Sequence, residues 1–431
     1  MRPRTRFAAV VALATMAALI AQPASAGKPQ PPPTTAPKSV ILIIGDGMGP
    51  AHVALSRKML APTPLNVDNS TFVSGSVNTL SLDGVTDSAA AATALATGVE
   101  TYNGWLSVAP DGSWPVTVLE RAESKGKVTG LITDMDEASA TPAAFAVHVP
   151  DRDLDFEITQ QIAAKDIEVL LSGNWGESYQ LEGRTGVTYV DTLSDLQPYL
   201  SGQIAYPSHM YGFFGGTALA YNLDREEETV VGIQPTLPEL TKAGLGVLSK
   251  DSDGFFLMVE IGANDWGGHS RDAAWVSAEM AELNEVVGVA LQYQATHPNV
   301  LVVVTGDHET GGLVLSSKLN LTAIKACKAT VEWMWGLISL DKMSISDTIY
   351  TYAGFRPTQA EIDHIALDKE MGIADVLSAR EKVSWGWSGL DEADHTATPV
   401  PVYANGPWES KFAGTNPNEY IGSLLLSAIS N

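Results

Sequence analysis

SVILIIGDG, Ser39 to Gly47, decides the fold. Its apolar run, Val40 to Ile44, is unbroken and closes on Gly-Asp-Gly. A strand with one wet face alternates apolar and polar residues. A continuous β-branched run bounded by glycine belongs to a strand buried on both faces, the habit of parallel sheets. Two more stretches have the same form: GFFLMVEIGANDWGGH, Gly254 to His269, and NVLVVVTGDHETGG, Asn299 to Gly312. Helical patterns lie between them. TLPELTKAGLGVL opens with Thr236 and Glu239 at capping-box spacing, and SRDAAWVSAEMAELNEVVGVALQYQ follows. Strand then helix, repeated, predicts an α/β three-layer sandwich with a large, mostly parallel central sheet flanked by helices. No internal repeat is present.

VTDSAAAATALATG, Val85 to Gly98, reads as a helix that starts near Ser88 and stops at Gly98. It has two readings. One is a buried helix with an ordinary cap. The other is a nucleophile held at the positive end of a helix dipole, where anions are stabilised.

The chain has 431 residues, 45% of them hydrophobic, enough for a large core. Its formal net charge is −24, with no basic run beyond the extreme N-terminus. Nucleic acid and anionic membrane surfaces are therefore poor partners. An anionic substrate would need a local positive centre, which metal ions supply. Arg2, Arg4 and Arg6, an apolar run and the small-residue site Ala24 to Ala26 form a secretory leader, residues 1–26. The expectation is a secreted or periplasmic protein with no membrane attachment after cleavage. Residues 27–37 form a Pro-rich linker, and 38–431 form the main folded domain. Within it, residues 318–384 carry helical periodicity and a second capping box at Thr358 and Glu361. That segment is expected to be a helical insertion over the sheet edge, a lid or an interaction surface. The lone Cys327 forms no intrachain disulfide and reads as a buried filler.

The three strong strands end in carboxylates and imidazoles: Asp46; Glu260, Asp265 and His269; Asp307 and His308. His395 follows in ADHTATP. Sites in open α/β sheets form beyond the carboxyl ends of strands. Each acid alone is an ordinary turn residue. Clustered together, they repel one another and need a cation to hold them. His269, His308 and His395 with aspartates suit Zn²⁺, whereas threonine and carboxylate oxygens suit Mg²⁺. Two zincs about 4 Å apart clamp the attacking and leaving oxygens of a phosphoryl displacement.

On these residues the chain resembles the alkaline phosphatases. ILIIGDGMG, TDSAAAATALATGVETYNG, ATPAAFAVHVPDR, LMVEIGANDWGGH, VVVTGDHETGG and HTATPVPVYANGP match that family's motifs in order, from Ile41 to Pro407. The resemblance implies a phosphomonoesterase with two Zn²⁺, one Mg²⁺ and a phosphoserine on Ser88. It implies Asp265, His269 and His395 at the first zinc, and Asp46, Asp307 and His308 at the second. Asp46, Thr141 and Glu260 would hold magnesium. Arg152 would clamp two phosphate oxygens, with Asp87 orienting its guanidinium. Read without the resemblance, Thr141 is also a helix-start cap and Arg152 a surface ion pair. Expected partners are small-molecule phosphate monoesters, with a homodimer left open.

Two positions depart from well-known members: Ser139 replaces Asp or His, and Trp266 replaces Lys or His. With only oxygen ligands around it, the third metal is expected to be Mg²⁺. Trp266 is expected to hold phosphate less tightly than a lysine would, or else to pack under the insertion. Three rivals are weighed: a diesterase or sulfatase of the same superfamily, a non-catalytic metal or phosphate binder, and a Ser-His-Asp hydrolase. The last lacks a G-x-S-x-G elbow around Ser88.

Overall fold

The computed structural model describes residues 36–174, 176–386 and 395–430. The expected leader and all but the last two residues of the linker lie outside them. The strands are β1 (Ser39–Gly45), β2 (Val73–Asn78), β3 (Val128–Asp136), β4 (Val169–Gly173), β5 (Val187–Tyr189), β6 (His209–Phe214), β7 (Phe255–Ile261) and β8 (Val300–Gly306). Then come the short β9 (Glu309–Thr310), β10 (Val314–Leu315), β11 (Val383–Ser384) and β12 (His395–Thr396), followed by β13 (Val400–Asn405) and β14 (Gly414–Pro417). Ten strands form one sheet in the order β14-β2-β13-β8-β1-β7-β3-β4-β6-β5. Only the β13 pairings, with β2 and β8, are antiparallel.

The three apolar runs are the neighbouring strands β8, β1 and β7, and every residue of each is buried. Alternation along β1 makes the layers. Val40, Leu42 and Ile44 enter one core with the Ser88–Thr97, Ala140–Ala146 and Asn418–Ile429 helices. Ile41 and Ile43 enter the other, against the Leu237–Leu248 and Ala273–Thr296 helices. Each such side chain contributes roughly 1.5–3 kcal/mol by burial. Register sets the site: Gly45 pairs with both Ile261 and Gly306, so the chain leaves all three strands side by side.

The Ser88–Thr97 helix is buried at every residue. Asp87 caps it, accepting from the Ala90 N–H at 2.9 Å, and Gly98 ends it at φ +70°. Small side chains let the Asn418–Ile429 helix approach to backbone contact. A Cβ on Gly422 would lie 2.1 Å from the Ala94 carbonyl oxygen, so only glycine fits there.

Both capping boxes are present, at Thr236 with Glu239 and at Thr358 with Glu361. Residues 318–384 hold the helices Leu321–Ile324, Val331–Ser339, Ile345–Ala353 and Gln359–Glu381 around a third core shared with Leu55, Ala273, Ala274 and Leu313. β10 and β11 pair antiparallel where this stretch enters and leaves. Cys327 is buried there, its thiol pushed up by burial and then by Glu381. Among the described residues no helix is long and apolar enough to cross a membrane.

Candidate functional site

The sheet register brings Asp46, Glu260 and Asp307 together at the carboxyl ends of β1, β7 and β8. A short turn after β7 starts the Ala263–His269 helix, which carries Asp265 and His269. β12 pairs with β9, His395 opposite Thr310, and delivers His395 to the same edge.

His308 Nε2 lies 3.2 Å from Asp46 Oδ1, 3.3 Å from Asp307 Oδ2 and 3.2 Å from Ser88 Oγ. Asp265 Oδ2 is 3.1 Å from His269 Nε2, and His395 Nε2 is 3.2 Å from the same His269 nitrogen. The His308 and His395 rings stack with centroids 3.5 Å apart. Two triads have ligand atoms all within 4.8 Å of one another: Asp46, Asp307 and His308, and Asp265, His308 and His395. Thr141 Oγ1 donates to Asp46 Oδ2 at 3.4 Å. Thr141 is therefore not the cap of its helix; that position belongs to Ser139, whose side chain makes no capping bond. Arg152 Nη1 donates to Asp87 Oδ2 at 3.2 Å, so its carboxylate partner is the helix cap beside Ser88. Gly104 N–H also donates to Asp87 Oδ2, at 2.9 Å.

The electrostatics are those of a site built around cations. Asp46 Oδ1 and Asp307 Oδ2 are buried and accept no hydrogen bond. Burial, then the charge of Asp307, pushes the Asp46 carboxyl well up. Burial and Asp265 lift Asp307 to about 7, while burial and Asp134 lift Glu260 to about 8. Burial and the neighbouring His395 hold His308 far below the usual imidazole value. Burial opposes the charge of His395, but Asp265 outweighs it and raises the group to about 9. Buried oxygens without donors, beside neutral imidazole, fit divalent metal ions.

These shifts set a pH dependence. Asp307 and Glu260 stay protonated in the metal-free native state to about 7 and 8, whereas in the unfolded chain they ionise near pH 4. Over that window the native state binds more protons, so its stability falls as pH rises. Metal-stripped protein should melt progressively lower from about pH 5 to 8, and the metal-loaded protein should fall less. Parallel melting curves for the two forms would overturn this.

Several supporting residues escaped the sequence reading. Thr310 bonds both to Asp265 Oδ1 and, at 3.1 Å, to His308 Nδ1. Thr133 Oγ1 donates to Glu260 Oε2 at 2.5 Å. Asp134 accepts from the N–H groups of Gly262, 2.6 Å, and Ala263, 3.2 Å, fixing the turn between Glu260 and Asp265. Asp134 also lies in a buried group with Glu279 and Glu282. For Thr133 and Asp134 the available signal was LITDMD, a fourth, shorter apolar run ending in acids.

Comparison with known proteins agrees with this frame. The family model described as alkaline phosphatase matches residues 37–179 and 165–430. Alkaline phosphatase 3 of Bacillus subtilis is 32% identical, covering 91% of this chain and 89% of the relative. The Escherichia coli alkaline phosphatase is 30% identical over 63% of this chain and 70% of its own. The crystal structure of a cold-active alkaline phosphatase from a psychrophilic Shewanella species superposes with a TM-score of 0.81 at 27% identity, covering 91% of this chain and 100% of that one.

Proposed function

The chain belongs to the alkaline phosphatase family, and from that premise we propose an exported, metal-dependent phosphomonoesterase that works through a phosphoseryl intermediate on Ser88. The supporting observation is the unpaired buried oxygens of Asp46 and Asp307 beside a serine at a helix N-terminus. Asp265, His269 and His395 would hold one zinc; Asp46, Asp307 and His308 the other; Asp46, Thr141 and Glu260 a magnesium. These ions, when bound, supply the positive charge that ionises Ser88 and water and stabilises the leaving oxygen.

The chain's own residues do the rest. Ser88 Oγ attacks phosphorus, the bond from phosphorus to the ester oxygen breaks, and the alcohol departs. Water then attacks the phosphoseryl group and breaks its P–Oγ bond, releasing inorganic phosphate. Arg152 holds two phosphate oxygens through both transfers, and Asp87 keeps the guanidinium facing Ser88. Residues 1–26 direct export, and 318–384 form an insertion beside the site. The third ion is magnesium, since Ser139 offers a hydroxyl where an imidazole would favour softer metals.

Hydrolysis of a chromogenic phosphate monoester against the matching diester, with and without chelator, tests the reading. Faster cleavage of the diester, or turnover indifferent to chelation, would reject it. Arg152→Ala should weaken inhibition by phosphate by about 1.5–3 kcal/mol, the worth of a charge-assisted bond. An unchanged inhibition constant would remove the clamp.

A further inference from the structure

A hollow of about 350 Å³ opens near the Ala263–His269 helix, with Tyr221, Trp333, Trp335, Glu228, Glu332 and Lys342 among its walls. That volume suits a small organic group. Trp266 on that helix and Ser270 just after it make contacts on the hollow's side of the fold. Trp266, which follows Asp265 and is 36% exposed, meets the edge of Tyr221 with ring centroids 5.9 Å apart. Ser270, which follows His269, donates to Glu370 Oε1 at 3.0 Å. Burial, then the charges of Glu370 and Glu228, pushes the Glu332 carboxyl up. An aromatic contact thus joins the metal-ligand helix to the wall of the hollow, and Glu370 stands beside it on Ser270. Lys342 is the lone cation among its lining residues.

We propose that this hollow is a leaving-group subsite selecting phosphate monoesters whose alcohol carries an organic ammonium group several atoms from phosphorus. The proposal rests on the phosphomonoesterase reading above. Tryptophan and tyrosine faces attract cations through the ring quadrupole, and the bordering carboxylates add to that attraction. The same carboxylates repel a second anionic group. An uncharged apolar leaving group would gain the rings without relieving the repulsion between Glu332, Glu370 and Glu228.

The test compares kcat/KM for ω-trimethylammonio-octyl phosphate with that for its neutral tert-butyl-ended isostere. Choline phosphate and its tert-butyl isostere are the short pair. The long cation should be preferred about tenfold, as a cation–π site of this kind provides, and the short pair should show little preference. Glu228→Gln with Glu332→Gln should reduce the long-chain preference to the part that the rings supply. Asp251→Asn with Asp253→Asn removes equal charge just before β7, at the amino end of the strands and opposite the site, and should leave the preference intact. In the unaltered protein, free octyltrimethylammonium should raise KM for the cationic ester without lowering kcat. Equal kcat/KM for both long esters, or equal losses in the two double variants, would overturn the subsite while leaving the phosphomonoesterase standing. Failure to cleave any monoester would instead reject the reading on which it rests.

Discussion

Ser88→Ala is expected to lower kcat by at least about a thousandfold, the scale on which loss of a nucleophile registers. Fold and metal content should stay near normal. Ser88 is followed by Ala89 to Ala92 in a fully buried helix, and the cap bond comes from Asp87, not from Ser88. Alanine therefore costs neither helix propensity nor packing there. Acid-quenched protein turning over a monoester should carry phosphate on the peptide containing Ser88, and the alanine variant should carry none. Phosphate found reproducibly on another residue would sink the assignment. The 3.2 Å contact between Ser88 Oγ and His308 Nε2 makes the experiment sharper. A metal-free serine–histidine pair would also label Ser88, but it would survive chelation.

Chelation is therefore the second large effect. Removing the ions is expected to abolish turnover, with recovery when Zn²⁺ and Mg²⁺ are restored. It should also lower the melting temperature, because ligands that bind only the native state stabilise it, by about 4 kcal/mol at a thousand times Kd. The local cause is visible in the ligands: without cations, Asp46 Oδ1 and Asp307 Oδ2 are buried with no hydrogen bond, and burial drives both carboxyls towards their protonated form. His395→Ala should approach the same phenotype, since the ring stacks on His308 and lies 3.5 Å from Asp265 Oδ1. Full activity in protein shown to be metal-free would reject the scheme.

The part of the fold that the sequence made legible is the part whose burial is continuous. β1, β7 and β8 were readable because both faces of each are covered, which leaves an apolar run that nothing else resembles. β2, VSGSVN, lacks such a run; its place comes from pairing with β13 and β14, which a single segment does not display. The two-residue β12 is too short for any periodicity, yet it positions His395. Glu279 and Glu282 look like the solvated face of a helix. Instead both are buried, accepting from Asn222, and Glu282 also accepts from the Leu237 N–H at 2.9 Å. Helical periodicity reports that a face is polar, not that another element will cover it. The candidate site was more legible than its supports, because its ligands sit where strands end, and strand ends are marked by glycine.

The contact of Gly422 with Ala94 carries a consequence for timing. The helix bearing Ser88 is seated by backbone packed on backbone, and one side of that seat is made by residues 418–429. A growing chain can assemble β1, β7, β8 and the Ala140–Ala146 helix and still lack the 418–429 side of the seat on which the nucleophile's helix rests. Catalytic competence should thus appear abruptly with chain length, once residues 418–429 are included, and not in proportion to length. Arrested chains of graded length, released and supplied with metal, would show a step in activity at that point; a gradual rise would mean that the earlier strands suffice.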